Sequence, residues 1–250
     1  MVLTCGMDYL LLFLFGFVAF TVSTIAGGGG ALILVPLVGF FVREDAVAPL
    51  VQMGNFIGRP TRIALFWKNI RWDISKIYIP FAFVGAFLGA WLFASLSMKW
   101  LQLVLGVFLV STIFQYRFGK KTMSFQMKRW YFAPLGFVVS FLSSLIGATG
   151  AVLNPFYLNY GVTKEDLIGT KAINSFLVAM VQLPTYAFFG KLYGEMWYMG
   201  LSIGLGAALG NFVGKKWLTK ISDKRFLSYV LILMVVSGVV LIIKALSDVF

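Results

Sequence analysis

Histidine occurs nowhere in the 250 residues, and cysteine occurs once, at Cys5. The first absence removes the commonest proton shuttle and metal ligand. The second excludes an internal disulfide, a thiolate metal cage and paired-thiol redox chemistry. Acidic residues are scarce too, 9 against 21 Lys and Arg. Asp8, Glu44, Asp45, Asp73, Glu165, Asp166, Glu195, Asp223 and Asp248 all fall between apolar segments or at their rims, so none is placed at mid-depth as a proton relay. With no carboxylate pair, histidine or plausible thiol site, an enzyme is not expected. No residue is assigned a catalytic or metal-binding role, and no cofactor is expected.

Charge as a whole is sparse, at 12% of residues, whereas soluble chains carry about 25%. Hydrophobic residues make up 60%. Together these values describe an all-α polytopic membrane protein, in contact with lipids and multi-pass. The formal net charge of +12 is no sign of nucleic acid, because the basic residues lie between apolar runs, where they set topology. The start of the chain has no basic region or obvious small-residue cleavage site, so residues 9–26 read as a retained membrane segment.

What is abundant is apolar segments, near 9–26, 31–42, 46–67, 77–96 and 100–116, then 130–146, 151–161, 166–189, 196–214 and 226–246. Segments 31–42 and 151–161 are too short to span, since a dozen helical residues cover about 18 Å of a 30 Å core. Each is the second limb of a broken hairpin, 9–42 or 130–161. Gly27 to Gly30 interrupt the first, and Gly147, Thr149 and Gly150 interrupt the second. Each glycine costs roughly 1 kcal/mol against alanine in a helix. Ala31 and Ala151 are expected to begin the second limbs.

Basic residues cluster at Lys68, Arg71 and Lys76, in the linker 117–129, and from Lys215 to Arg225. If those loops are cytoplasmic, the first hairpin starts outside and the second starts inside, and both termini lie outside. The expected architecture is therefore two inverted-topology repeats of five helical elements, 1–116 and 130–250. The copies share short matches: Gln52-Met-Gly-Asn55 with Lys171-Ala-Ile-Asn174, and Gly85/Gly89 with Gly206/Gly210, at an offset of 119 to 121 residues.

A glycine-rich hairpin, a proline, an acidic turn and a second degenerate copy resemble the TauE/SafE family, the sulfite exporters, over nearly the whole chain. The resemblance implies a secondary transporter of the cell inner membrane that exports sulfite or an organosulfonate such as sulfoacetate. Its second copy departs from the first in carrying Ala148, Thr149 and Asn154.

The residues themselves suggest where an anion would be held. Amides freed at a helix break attract negative charge, and glycine allows close approach. Gly28, Gly29, Gly30, Gly147, Thr149 and Gly150 are the candidate tips, expected to meet near the midplane. Gln52, Asn55 and Arg59 share one face of segment 46–67, and Lys171, Asn174, Ser175 and Gln182 one face of segment 166–189. Arg59 lies about 20 Å from the outer end of its segment. Against these roles stand packing for the glycines, hydrogen bonding between helices for Asn55 and Asn174, and snorkelling for Lys171 and for Arg59 beside Arg62. An uptake carrier or channel for sulfate or acetate is the alternative transport reading, and a scaffold or sensor the non-transport one. Oligomeric state is left open, a homodimer included.

Overall fold

The computed structural model describes residues 6–39, 41, 42, 44–93, 107, 110, 126–147, 149–162 and 164–247, and every described element is helical. Helix α1 (Gly6–Ile25) ends at the glycine run, and α2 (Gly30–Gly39) resumes after it. Gly27, Gly28 and Gly29 have φ of +71°, +128° and +87°, a succession open only to residues without a Cβ. Helix α3 (Glu44–Leu65) and α4 (Trp72–Leu92) follow, joined by a 3-10 turn at Trp67–Asn69. The expected helix 100–116 falls almost entirely outside the described residues, as do Arg43, Ala148 and most of the linker 117–129.

The second half continues with α5 (Phe132–Ile146), α6 (Asn154–Asn159), α7 (Lys164–Phe188), α8 (Met196–Leu218) and α9 (Asp223–Ser247). Its break is longer than the first. Gly147 closes α5 with φ +78°, and tight turns follow, with Val152 N–H donating to Thr149 O at 2.9 Å and Asn154 N–H to Ala151 O at 3.0 Å. The second limb therefore opens at Asn154 and not at Ala151. Pro155 gives it a first turn in which a missing N–H costs nothing. On the first side the limb opens at Gly30, one residue before the expected Ala31.

Five described helices are long and apolar enough to cross a bilayer: Met7–Ile25, Trp72–Leu92, Arg129–Ile146, Lys164–Phe188 and Met196–Leu218. The outward surface agrees, because large apolar side chains are turned away from the core. Leu201, Leu205, Leu209 and Phe212 form such a stripe on α8, and Phe83, Phe87 and Trp91 lie exposed on α4. A water-exposed protein rarely shows apolar faces of that extent.

Glycines set how closely the helices approach. A Cβ on Gly206 would come 1.9 Å from Phe13 O, and one on Gly210 would come 2.4 Å from Phe17 O, so α8 lies directly against the backbone of α1. Gly200 and Gly204 turn the adjacent side of α8 to Met53 and Ile57 of α3. Gly85 and Gly89 seat α4 on Phe137 and Phe141 of α5 in the same manner. Without a hydrophobic drive between helices in lipid, close backbone contact at small residues is a main source of association. The first limb of each broken hairpin thus packs on the long helix with the matched glycines from the other half of the chain.

Candidate functional site

Helices α3 and α7 run antiparallel, and their register is fixed where Arg59 Nη1 donates to Ser175 O at 2.8 Å. Phe56 and Phe176 stack beside that contact, their ring centroids 4.8 Å apart. From this level a polar face runs along each helix, with Gln52, Asn55, Arg59 and Arg62 on α3 and Lys171, Ser175 and Gln182 on α7. The spacings of 3, 4 and 7 residues keep each set on one side of its helix. Between the faces and the two breaks lies a cavity of about 80 Å³, room for several waters or a small ion.

Of the twelve residues expected from the sequence, eleven line this cavity: Gly28, Gly29, Gly30, Gln52, Asn55, Arg59, Gly147, Thr149, Gly150, Lys171 and Ser175. The tips touch, since a Cβ built on Gly150 would lie 3.5 Å from Gly29 N, and one on Gly28 would lie 3.5 Å from Gly150 O. Asn174 is brought elsewhere. Its Nδ2 donates to the buried Tyr157 hydroxyl at 3.0 Å, which ties α7 to α6.

Lys171 is buried and does not reach a rim. Its Nζ donates to Gly27 O at 2.8 Å and to Asn154 Oδ1, so one ammonium joins the first break to the second limb. A Cβ at Gly28 would come 2.5 Å from that nitrogen, so the glycine also makes room for the lysine. Gln52 works at the opposite break, where Nε2 donates to Ser143 Oγ at 3.0 Å. Ser143 O in turn accepts from Gly147 N–H at 2.8 Å.

Arg62 was not among the expected site residues. It is 8% exposed and held by four hydrogen bonds: Nε to Asn211 Oδ1 at 2.9 Å, Nη1 to Ser23 Oγ at 3.3 Å, and Nη2 to Thr24 Oγ1 at 2.8 Å and Phe20 O at 3.4 Å. It also lies over the Phe20 ring. Its place three residues after Arg59 and seven after Asn55 was the available signal. Tyr78, Ser140 and Gln182 also line the cavity, with Tyr78 and Ser140 oxygens 3.4 Å apart.

Among the described residues the cavity therefore meets three cations, Arg59, Arg62 and Lys171, and no acidic side chain lines it. The acceptors those cations use are neutral carbonyls, amides and hydroxyls. Among the described residues no cluster of acidic or cysteine side chains could hold a metal ion. Cations buried without countercharge are costly, and a bound anion would relieve that cost. The first amides of α2 lack intrahelical acceptors by construction and begin at the same place.

Neither a curated protein nor a solved structure matches the chain. The family model described as sulfite exporter TauE/SafE matches residues 12–241. With nearly its whole length matched, and with its apolar spanning helices, the chain belongs to the TauE/SafE sulfite exporter family of multi-pass membrane transporters.

Proposed function

We propose that the protein exports a small sulfur oxyanion, sulfite or an organosulfonate, across the cell inner membrane by alternating access. The observation that carries this reading is the cavity with three cations and no carboxylate. In it Arg59 and Lys171 hold the oxyanion, with Asn55 and the break amides as further donors. Arg62, with four of its five hydrogens already engaged, contributes fixed positive charge. Arginine suits a flat two-point contact with an oxyanion, and lysine supplies a mobile third.

The two copies are inverted repeats in this proposal, and the crossed packing of α1 on α8 and α5 on α4 supports it. One repeat would rock against the other about the breaks, as in other repeat-built carriers. Outward movement of an anion is favoured by about 2.3 kcal/mol per charge at 100 mV, inside negative, so export needs no coupled ion.

Counterflow of labelled sulfite in proteoliposomes tests the reading. Arg59→Gln and Lys171→Gln should each lower sulfite flux about tenfold or more, since each loses a charge-assisted contact, while still inserting into the membrane. Unchanged flux in both single variants and in the double would remove these residues from the site. Competition by sulfate or acetate as strong as by unlabelled sulfite would favour a carrier or channel for another small anion.

A further inference from the structure

Asn154 is a point at which the second copy departs from the first, and contact with a bound anion does not account for it. The residue is fully buried and is not among the described residues that line the cavity. Its side chain meets Lys171 from the start of α6, the second limb of the second break. An ammonium can only donate, so the amide oxygen Oδ1 is the atom that receives Nζ. The amide nitrogen is left on the other side, buried, with no acceptor among the described residues.

Asn154 and Lys171 come as a pair. At the offset of 119 to 121 residues, Lys171 matches Gln52, Val51 or Leu50, and Asn154 matches Val35, Leu34 or Ile33. The first copy thus has neither the cation nor the amide, and its Leu34 and Val35 are buried in the apolar core. For holding the lysine alone, asparagine is a poor choice. A buried donor with no acceptor destabilises the fold, and so does a buried cation met only by neutral oxygens. Aspartate has the same shape and would set a carboxylate on Nζ. It would remove the stranded donor and pair the cation, but it would also cancel the charge. Of the three ammonium hydrogens the protein accepts two, at Gly27 O and Asn154 Oδ1. The neutral amide therefore preserves a cation fixed between the two breaks, with its charge and one hydrogen unspent.

We propose that Asn154 is a positioning residue of the transport site. Its neutral oxygen fixes Lys171 in place without supplying a countercharge, which the substrate anion itself brings. Asn154 does not touch the substrate and acts only through Lys171. The proposal rests on the anion-carrier reading above and adds what keeps the charge of that site available.

The test combines KM and maximal rate of labelled sulfite counterflow in proteoliposomes with the melting temperature of the same proteins in the absence of sulfite. Asn154→Asp should keep or raise the melting temperature and raise the sulfite KM about tenfold or more, with a much smaller effect on the maximal rate. A purely structural asparagine would leave KM unmoved, because aspartate keeps the shape and the acceptor. Asn154→Ala should raise KM about fivefold, the worth of one hydrogen bond, and should add nothing to KM in a Lys171→Gln background. Asn154→Asp serves where the alanine variant fails to elute as a single species. An Asn154→Asp protein with the KM of the wild type, a melting temperature that falls together with the maximal rate, or an alanine effect as large in Lys171→Gln as in the wild type would overturn the proposal. Absence of sulfite counterflow in the wild type would overturn the carrier reading beneath it, and an unchanged KM in Lys171→Gln would remove the lysine from that reading.

Discussion

Asn55 and Asn174 stand at matching places in the two sequence copies, yet their side chains do different things. Asn174 is bonded to the Tyr157 hydroxyl. At the offset of 119 to 121 residues, Tyr157 corresponds to Pro36, Leu37 or Val38, none of which has a hydroxyl. Asn55, which lines the cavity, is thereby left with a buried, unpartnered Nδ2. Replacing Asn174 by Ala strands a buried phenol, at a cost of roughly 1–3 kcal/mol. Replacing Asn55 by Ala removes a group that is already unmet. Asn174→Ala should therefore lower the melting temperature of the detergent-purified protein. Asn55→Ala should keep or raise it and weaken sulfite binding about fivefold, which is about 1 kcal/mol. Melting curves and sulfite titrations on the two variants check this, and a larger melting loss for Asn55→Ala would refute it.

At the scale of elements, the glycines divide into two kinds that look alike in the sequence. Gly27 to Gly29 are required by backbone angles, whereas Gly206 and Gly210 are required by the carbonyls of Phe13 and Phe17. The neighbour of Gly206 is backbone, so nothing flexible can yield. Gly206→Ala should destabilise the protein by about 1–3 kcal/mol, the usual cost of overpacking. Leu209→Ala, on the exposed face of the same helix, should cost much less; thermal melting of both variants tests the contrast.

The long apolar segments and the polar faces of α3 and α7 were legible because each follows from local periodicity. The start of α6 was less so. Ala151 continues an apolar run, but turns from Thr149 to Asn154 consume those residues before Pro155 permits a helix. Arg62 was missed for a different reason. Beside a basic loop it reads as a residue reaching for the surface, and the partners that bury it, Ser23, Thr24 and Asn211, are 38 to 149 residues away. Lys171 was named from the sequence, but its partners were not, since Asn154 and Gly27 belong to separate elements that only the tertiary fold brings to its ammonium.

For the molecule as a whole, the position of the basic residues gives an expected orientation that labelling can test. Lys68 is exposed in the turn between α3 and α4, and Lys220 is exposed just beyond the end of α8. On the charge rule both are expected to face the cytoplasm. Tyr193, exposed between α7 and α8, is then expected on the outer side. Since α7 separates the first turn from Tyr193, and α8 separates Tyr193 from Lys220, two helix crossings bind the three positions together. Cysteines placed singly at 68, 193 and 220 in a Cys5→Ser background test the arrangement with a membrane-impermeant thiol reagent. In intact cells only position 193 should react, and positions 68 and 220 should react after the membrane is opened. Reaction at 68 and 220 alone in intact cells would invert the orientation. Reaction at 68 and 193 together would break the antiparallel pairing of α3 and α7 on which the cavity depends.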